Sequence, residues 1–154
     1  QQYFSIYGRG SNPPSANRKV NWDDIVVVTL SEFGRTTIQN ANNAYKKKDL
    51  ASSAKYAAEY LRGSDLSSEN LAQYNDAGYF LEQANRAAEA IPVLEEVVAF
   101  DPTRTPAYLN LADAYQKSGD KAKAKANYQK YVELMEKAGK GAKVPARVRA
   151  FLKS

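Results

Sequence analysis

The chain has 154 residues, of which 44% are hydrophobic and 25% are charged, and its formal net charge is +5. This length accommodates one compact domain or a short repeat array with an additional arm, and the composition is that of a folded protein. Cysteine and histidine are both absent, which excludes thiolate and imidazole metal sites, cysteine nucleophiles and histidine-based triads. Carboxylate, lysine, tyrosine, serine and threonine side chains remain, and they support glycosidase-like or magnesium chemistry in principle. From this narrow choice we predict no metal, no cofactor, no catalytic residue and no enzymatic activity.

The chain begins with Gln1 and not with methionine. This start indicates either a mature end left by signal cleavage or a cut fragment, and we expect an exported protein, periplasmic or extracellular. No apolar run approaches the ~20 residues that a membrane-spanning helix needs, so no membrane span is predicted.

Residues 1–34 form an N-terminal arm without helical periodicity. Aromatic residues alternate there with Gly, Pro, Asn and Ser, which predicts an extended, turn-rich segment. A β-branched run then predicts one short strand near residues 25–30. Because an unpaired strand invites pairing, the arm either packs on its own helices or joins another copy of the chain. The residues expected to carry such assembly are Tyr3, Phe4, Ile6, Tyr7, Val26, Val27 and Val28.

The run VVVTLSEFGRT at 26–36 is similar to a stretch of a bacterial family with an alkaline-phosphatase-like fold, and it indicates a bacterial protein. That fold is several times larger than this chain, and its site draws on aspartates and histidines spread across it. No catalytic role is therefore carried over to Ser31, Glu32 or Arg35, because function requires a complete site. The run marks a fragment, a fusion or a coincidence.

Residues 35–70 predict a helical hairpin of two amphipathic helices. The two apolar stripes are Ile38, Ala41 and Tyr45, followed by Ala54, Ala58 and Leu61. The break between the helices, at Lys48, contains no glycine, and Asn42 stands where a smaller residue is expected. We interpret this hairpin as a degenerate first copy of the pattern that follows it.

Two further segments, 71–104 and 105–138, match each other at a period of about 34 residues. Tyr74, Gly78, Leu81, Ala90 and Leu94 of the first segment align with Tyr108, Ala112, Tyr115, Ala124 and Tyr128 of the second. Each segment thus has large, small and large residues on one helix, then small and large residues on the next. Gly119 and Asp120 are suited to end one helix and begin the other.

This pattern resembles the tetratricopeptide repeat family over about residues 35–138, including an aspartate–proline pair at 101–102 that closes the first clear unit. The resemblance implies an all-α fold, an α-α superhelical solenoid of helical hairpins preceded by the non-repeat arm with its one short strand. Such arrays need a terminal cap. Residues 144–153 predict a capping helix, because Val144, Val148, Phe151 and Leu152 share one face and Arg147, Arg149 and Lys153 lie on the other, outer face.

The resemblance also implies a concave groove lined by the first helix of each hairpin, and hence a non-catalytic scaffold or adaptor that binds a protein, as a peptide or a helix. The expected partner-binding residues are Asn43, Lys46, Lys47, Asn75, Tyr79, Glu82, Gln83, Asp113, Gln116 and Lys117. This amide-rich lining suits hydrogen bonding to an extended peptide. Leu109 and Asp113 occupy positions at which clamping of a terminal carboxylate would need cations, so that specialised mode is disfavoured.

The charge is distributed unevenly along the chain. Residues 71–104 contain six acidic and two basic residues, whereas residues 121–154 contain ten basic and two acidic residues. Lysines 121, 123 and 125 alternate with alanines and no aromatic residues are interleaved with them, so we predict a solvated helix face and no nucleic acid partner. The alternative function is that of a structural subunit of an oligomer or fibre that self-associates through the arm.

Overall fold

The computed structural model describes residues 3–5, 19–21 and 30–154, and helices dominate the part from residue 30 onward. The helices are α1 (Leu30–Lys46), α2 (Leu50–Arg62), α3 (Leu71–Gln83), α4 (Ala87–Phe100), α5 (Thr105–Ser118), α6 (Lys121–Lys137) and α7 (Ala146–Lys153). A short 3₁₀ turn, Gly141–Lys143, precedes α7. In the arm, β1 (Tyr3–Ser5) and β2 (Lys19–Asn21) pair antiparallel, with Phe4 opposite Val20.

The strand expected near residues 25–30 falls almost entirely outside the described residues. Leu30, which that expectation included, is instead the first residue of α1, so helix begins before the residue 35 at which the first hairpin was expected to start. Ile6, Tyr7, Val26, Val27 and Val28 also lie outside the described residues. Assembly through the arm therefore stays a prediction.

The helices form three consecutive hairpins, α1–α2, α3–α4 and α5–α6, that stack on one another. Each helix packs against its neighbours in sequence, and the first helices of successive hairpins also touch, α1 with α3 and α3 with α5. This arrangement confirms the predicted all-α solenoid. The final helix, α7, packs on α6, where a cap was expected.

Each hairpin turn contains one residue with left-handed backbone: Lys48 (φ 62°), Asn85 (φ 60°) and Gly119 (φ 90°). The predicted cap residues act as expected at the last of these turns, where the Asp120 carboxylate accepts a hydrogen bond from the Lys123 backbone N–H at 3.0 Å. The first turn, which like the second contains no glycine, has the same construction, since Lys48 adopts the conformation that glycine would favour. Hence the first hairpin closes like the third despite its divergent sequence.

The residues aligned by the period are nearly all in the core. Of the ten, all but Tyr108 are buried, and Tyr108 is half-buried. Gly78 shows why one position must be small, because a Cβ atom placed on it would lie 2.7 Å from both Cγ and Cδ2 of Leu94. Helices α3 and α4 therefore approach at a distance that only glycine permits without rearrangement.

Ala124→Leu is expected to lower the free energy of unfolding by about 1–3 kcal/mol, because three added carbons must enter a filled interface. Ala124 is 0% exposed in α6, at its contact with α5. Thermal denaturation followed by circular dichroism measures the effect. Ala126→Leu is the matched control, since Ala126 is exposed on the same helix; equal midpoints for the two variants would contradict the repeat register.

Candidate functional site

A polar cleft of about 480 Å³ lies between the first helices of the second and third hairpins and the capping helix α7. Its lining residues are Glu82 and Gln83 of α3, Asp113, Gln116 and Lys117 of α5, and Arg147 of α7. All of them except Arg147 belong to the set predicted from the sequence. We call this surface the concave cleft.

Glu82 holds the α3 side of the concave cleft, although its carboxylate is buried. The Nζ atom of Lys117 lies 2.7 Å from Glu82 Oε1 and also donates to the Glu82 backbone oxygen at 2.9 Å. The Gln83 side-chain amide donates to Glu82 Oε2 at 2.8 Å. The buried charge is therefore both neutralised and hydrogen-bonded, as a carboxylate removed from water requires.

Asp113 and Arg147 form a second ion pair, which joins α5 to α7. The guanidinium donates two hydrogen bonds to the carboxylate, at 2.6 and 2.8 Å, in the two-pronged geometry that makes arginine–carboxylate pairs specific. The Tyr128 hydroxyl from α6 donates to the same carboxylate. Burial, and then the neighbouring Asp113 carboxylate, raise the pKa of Tyr128, so this hydroxyl stays protonated and remains a donor.

Arg147 is the cleft residue that the sequence analysis missed, because it was placed on the outer face of the cap. The signal that identifies it is its position 34 residues after Asp113, the same spacing as from Tyr79 to Asp113. One further period of the repeat thus extends into α7. The cation that binds Asp113 therefore comes from α7, one repeat beyond α5, and not from α5 itself.

The two ion pairs are arranged so that their acids point inward and their cations outward. The side chains of Glu82 and Asp113 are 1% and 16% exposed, whereas those of Lys117 and Arg147 are 38% and 54% exposed. A ligand entering the concave cleft therefore meets ammonium, guanidinium and amide groups. The four formal charges cancel, but the accessible groups are mainly hydrogen-bond donors.

Tyr79 and Asn75, both predicted to bind a partner, lie on α3 outside the cleft lining. The Tyr79 hydroxyl is 2.5 Å from that of Tyr45, and its ring packs against Tyr45 and Phe80 with centroids 5.4 and 5.8 Å away. Burial, followed by the bond to Tyr45, raises the pKa of Tyr79. Buried Asn75 accepts a hydrogen bond from Asn110 at 3.2 Å. Both residues therefore connect successive first helices.

The predicted partner residues of α1 are not brought to the concave cleft. Asn43 and Lys47 line a separate hollow of about 330 Å³ beside the turn into α2, together with Asp49 and Ser52. Lys46 is exposed at the last residue of α1. The expected groove residues thus divide between two surfaces.

Among residues 3–5, 19–21 and 30–154, no three His, Cys, Asp or Glu residues cluster in a way that could hold a metal ion. Over the same ranges, every helix is too short or too polar to cross a membrane.

A profile of the family described as tetratricopeptide repeat matches residues 73–138, which run from α3 to the end of α6. Residues 73–138 belong to the tetratricopeptide repeat family. This assignment confirms the resemblance inferred from the spacing of Tyr74, Gly78 and Leu81. Tetratricopeptide repeats serve in general as non-catalytic scaffolds for protein–protein contacts.

Solved structures of tetratricopeptide domains superpose on the longer helical array. The Arabidopsis OM64 TPR domain aligns with a TM-score of 0.64 at 15% identity, over 80% of this chain and 94% of that one. The first TPR domain of human RPAP3 aligns with a TM-score of 0.59 at 14% identity, over 78% of this chain and 92% of that one. The P58(IPK) TPR domain aligns with a TM-score of 0.59 at 15% identity, over 80% of this chain but 35% of that chain. No curated protein sequence matches this chain.

Proposed function

We propose that this protein is an interaction scaffold that binds an extended peptide segment of a partner protein in the concave cleft. The observation that carries the proposal is the orientation of the two ion pairs. The Glu82 carboxylate is buried and that of Asp113 is half-buried, both with hydrogen-bond donors, while Lys117 and Arg147 reach the surface. The cleft therefore offers donors and keeps its carboxylates occupied.

An extended peptide supplies acceptors for the donors of this surface. Its backbone presents a carbonyl oxygen at every residue, and any acidic side chain adds a carboxylate. The side-chain amides of Gln83 and Gln116 lie at the same surface as the two cations, which permits several simultaneous hydrogen bonds. Recognition of this kind depends on a few well-placed groups more than on the area of the contact.

The test is selection of peptides from a displayed random library on the intact chain, followed by affinity measurement with variants. The double variant Gln83→Ala/Gln116→Ala removes two donors from the concave cleft and should weaken the selected peptides by about five- to tenfold. Gln129→Ala is the matched control, because Gln129 is an exposed glutamine of α6 outside the cleft.

Isothermal calorimetry gives the affinities, and circular dichroism verifies that each variant keeps its helicity. The proposal fails if no peptide is selected, or if the selected peptides bind the double variant as tightly as they bind the Gln129→Ala control.

A further inference from the structure

The capping helix covers only part of the surface on which it packs. Helix α7 has 8 residues, whereas α3 and α5 have 13 and 14. By the period of the repeat, the first residue of α7, Ala146, corresponds to Ala112 in the middle of α5. The 3₁₀ turn at Gly141–Lys143 stands where the first half of a full-length helix would lie. One half of the α5–α6 surface is therefore left uncovered.

A pocket of about 510 Å³ lies at that uncovered half, between the beginning of α5 and the end of α6. We call it the C-terminal pocket. Its apolar side chains are Pro106 and Leu109 of α5, Tyr131 and Met135 of α6, and Ala138, the C-terminal cap of α6. Tyr131 is buried, and Leu109 and Met135 are half-buried against the core. A large apolar side chain inserted there would replace the contacts of the absent half-helix.

The rim of the C-terminal pocket is basic. Arg104 and Lys140 both line it, and the Nε–H group of Arg104 is buried without a hydrogen-bond acceptor among the described residues. The one acid of the lining, Asp101, accepts hydrogen bonds from the backbone and hydroxyl of Thr103 at 2.9 and 2.6 Å. It keeps its negative charge, so the lining has two cations against one carboxylate. A buried donor without a partner costs free energy that a bound acceptor would recover.

We infer that the C-terminal pocket binds a large apolar side chain, such as phenylalanine, from an acidic segment of a partner protein. The apolar side chain would occupy the space beside Leu109, Tyr131 and Met135, and a neighbouring carboxylate would accept from Arg104 and face Lys140. This inference goes beyond the proposed function, because the C-terminal pocket and the concave cleft share no lining residue.

The charge of the rim also separates a foreign segment from the chain's own aromatic arm. The first 22 residues of the arm, which include its aromatic leader, contain Arg9, Arg18 and Lys19 and no acidic residue, whereas Asp23 and Asp24 lie within seven residues of Leu30, where α1 begins at the opposite end of the array. Like charges would meet if this arm entered a pocket bordered by Arg104 and Lys140, which opposes binding. An acidic segment has the complementary charge, so a partner protein is the favoured occupant.

The experiment uses the full chain and a fluorescently labelled synthetic peptide in which one phenylalanine is flanked on each side by two glutamates, with both ends capped. Fluorescence anisotropy should show saturable binding of this probe. Replacing its phenylalanine with alanine, or its glutamates with lysines, should weaken binding by about tenfold or more, since each change removes one of the two recognition elements. Absence of binding to the native chain, or equal binding of the lysine peptide, overturns the inference.

Protein variants then locate the site. Ala138→Trp should fill the C-terminal pocket and weaken the probe by about tenfold, and Arg104→Gln should weaken it by about threefold or more. Ala126→Trp, on an exposed position of α6, should leave binding unchanged. If Ala138→Trp binds the probe normally while Gln83→Ala/Gln116→Ala does not, the inference is wrong and the concave cleft is the site. Loss of binding in Ala126→Trp to the same degree as in Ala138→Trp likewise overturns it.

Discussion

Leu94→Ala should lower the free energy of unfolding by about 2–5 kcal/mol, the largest effect expected of any substitution considered for this chain. Leu94 is 0% exposed in α4, and its Cγ and Cδ2 atoms occupy the space that a side chain at position 78 would need. Because Gly78 has no side chain to relax into the vacated volume, the cavity should persist. Urea denaturation measures the loss, and an unchanged m-value would show that the unfolded state is unaffected.

A double-mutant cycle tests the same contact from the other helix. Gly78→Ala alone should cost about 1–3 kcal/mol through overpacking, even though alanine favours a helix over glycine by about 1 kcal/mol. In the Leu94→Ala background the added methyl group would enter the cavity, so the double variant should be more stable than the sum of the single effects predicts. Strict additivity would contradict direct packing of Gly78 on Leu94.

Lys117→Met should lower the free energy of unfolding by about 2–3 kcal/mol, because it leaves the Glu82 carboxylate with one donor fewer in a buried position. The Glu82 side chain is 1% exposed, and Lys117 Nζ lies 2.7 Å from its Oε1 atom. Lys117 itself is 38% exposed, and partial solvation of its ammonium keeps the effect below that of a fully buried pair. Chemical denaturation at neutral pH measures it.

A second substitution at Glu82 shows whether Lys117→Met loses stability because a charge is left unpaired or because packing is lost. Adding Glu82→Gln to Lys117→Met removes the charge and should recover most of the stability, since a neutral amide is less costly to bury. Lys55→Met is the control, because Lys55 is an exposed lysine of α2. Equal stability of Lys55→Met and Lys117→Met would show that the ion pair contributes nothing to folding.

The repeat core was predictable because its signal is local and periodic. Tyr74, Gly78 and Leu81 recur one period later as Tyr108, Ala112 and Tyr115, and their burial follows from helical geometry alone. The first hairpin was predicted for the same reason, although α2 buries Ala57 and Tyr60 where Ala58 and Leu61 were expected. Its turn was not, since nothing in the sequence around Lys48 marks the left-handed backbone that the residue adopts.

The concave cleft was only partly predictable, because side-chain partnerships depend on the superhelical pitch. The sequence placed Glu82, Asp113 and Lys117 at groove positions, and they do line one cleft. It did not indicate that Glu82 is buried and Asp113 half-buried, each bonded to a cation from the next first helix. Tyr79 was expected at the groove as well, but its hydroxyl contacts that of Tyr45 in α1.

The shortness of α7 has a consequence for the lifetime of the concave cleft. Terminal elements held by few contacts open locally, at a free-energy cost well below that of global unfolding. Helix α7 is held by Val148, by the ring of Phe151 against Tyr128 at 5.0 Å, and by the Arg147 fork. Each local opening withdraws the guanidinium from the cleft and exposes the Asp113 carboxylate to solvent. We therefore expect the electrostatic character of the concave cleft to change when its last helix frays, while the three hairpins stay folded.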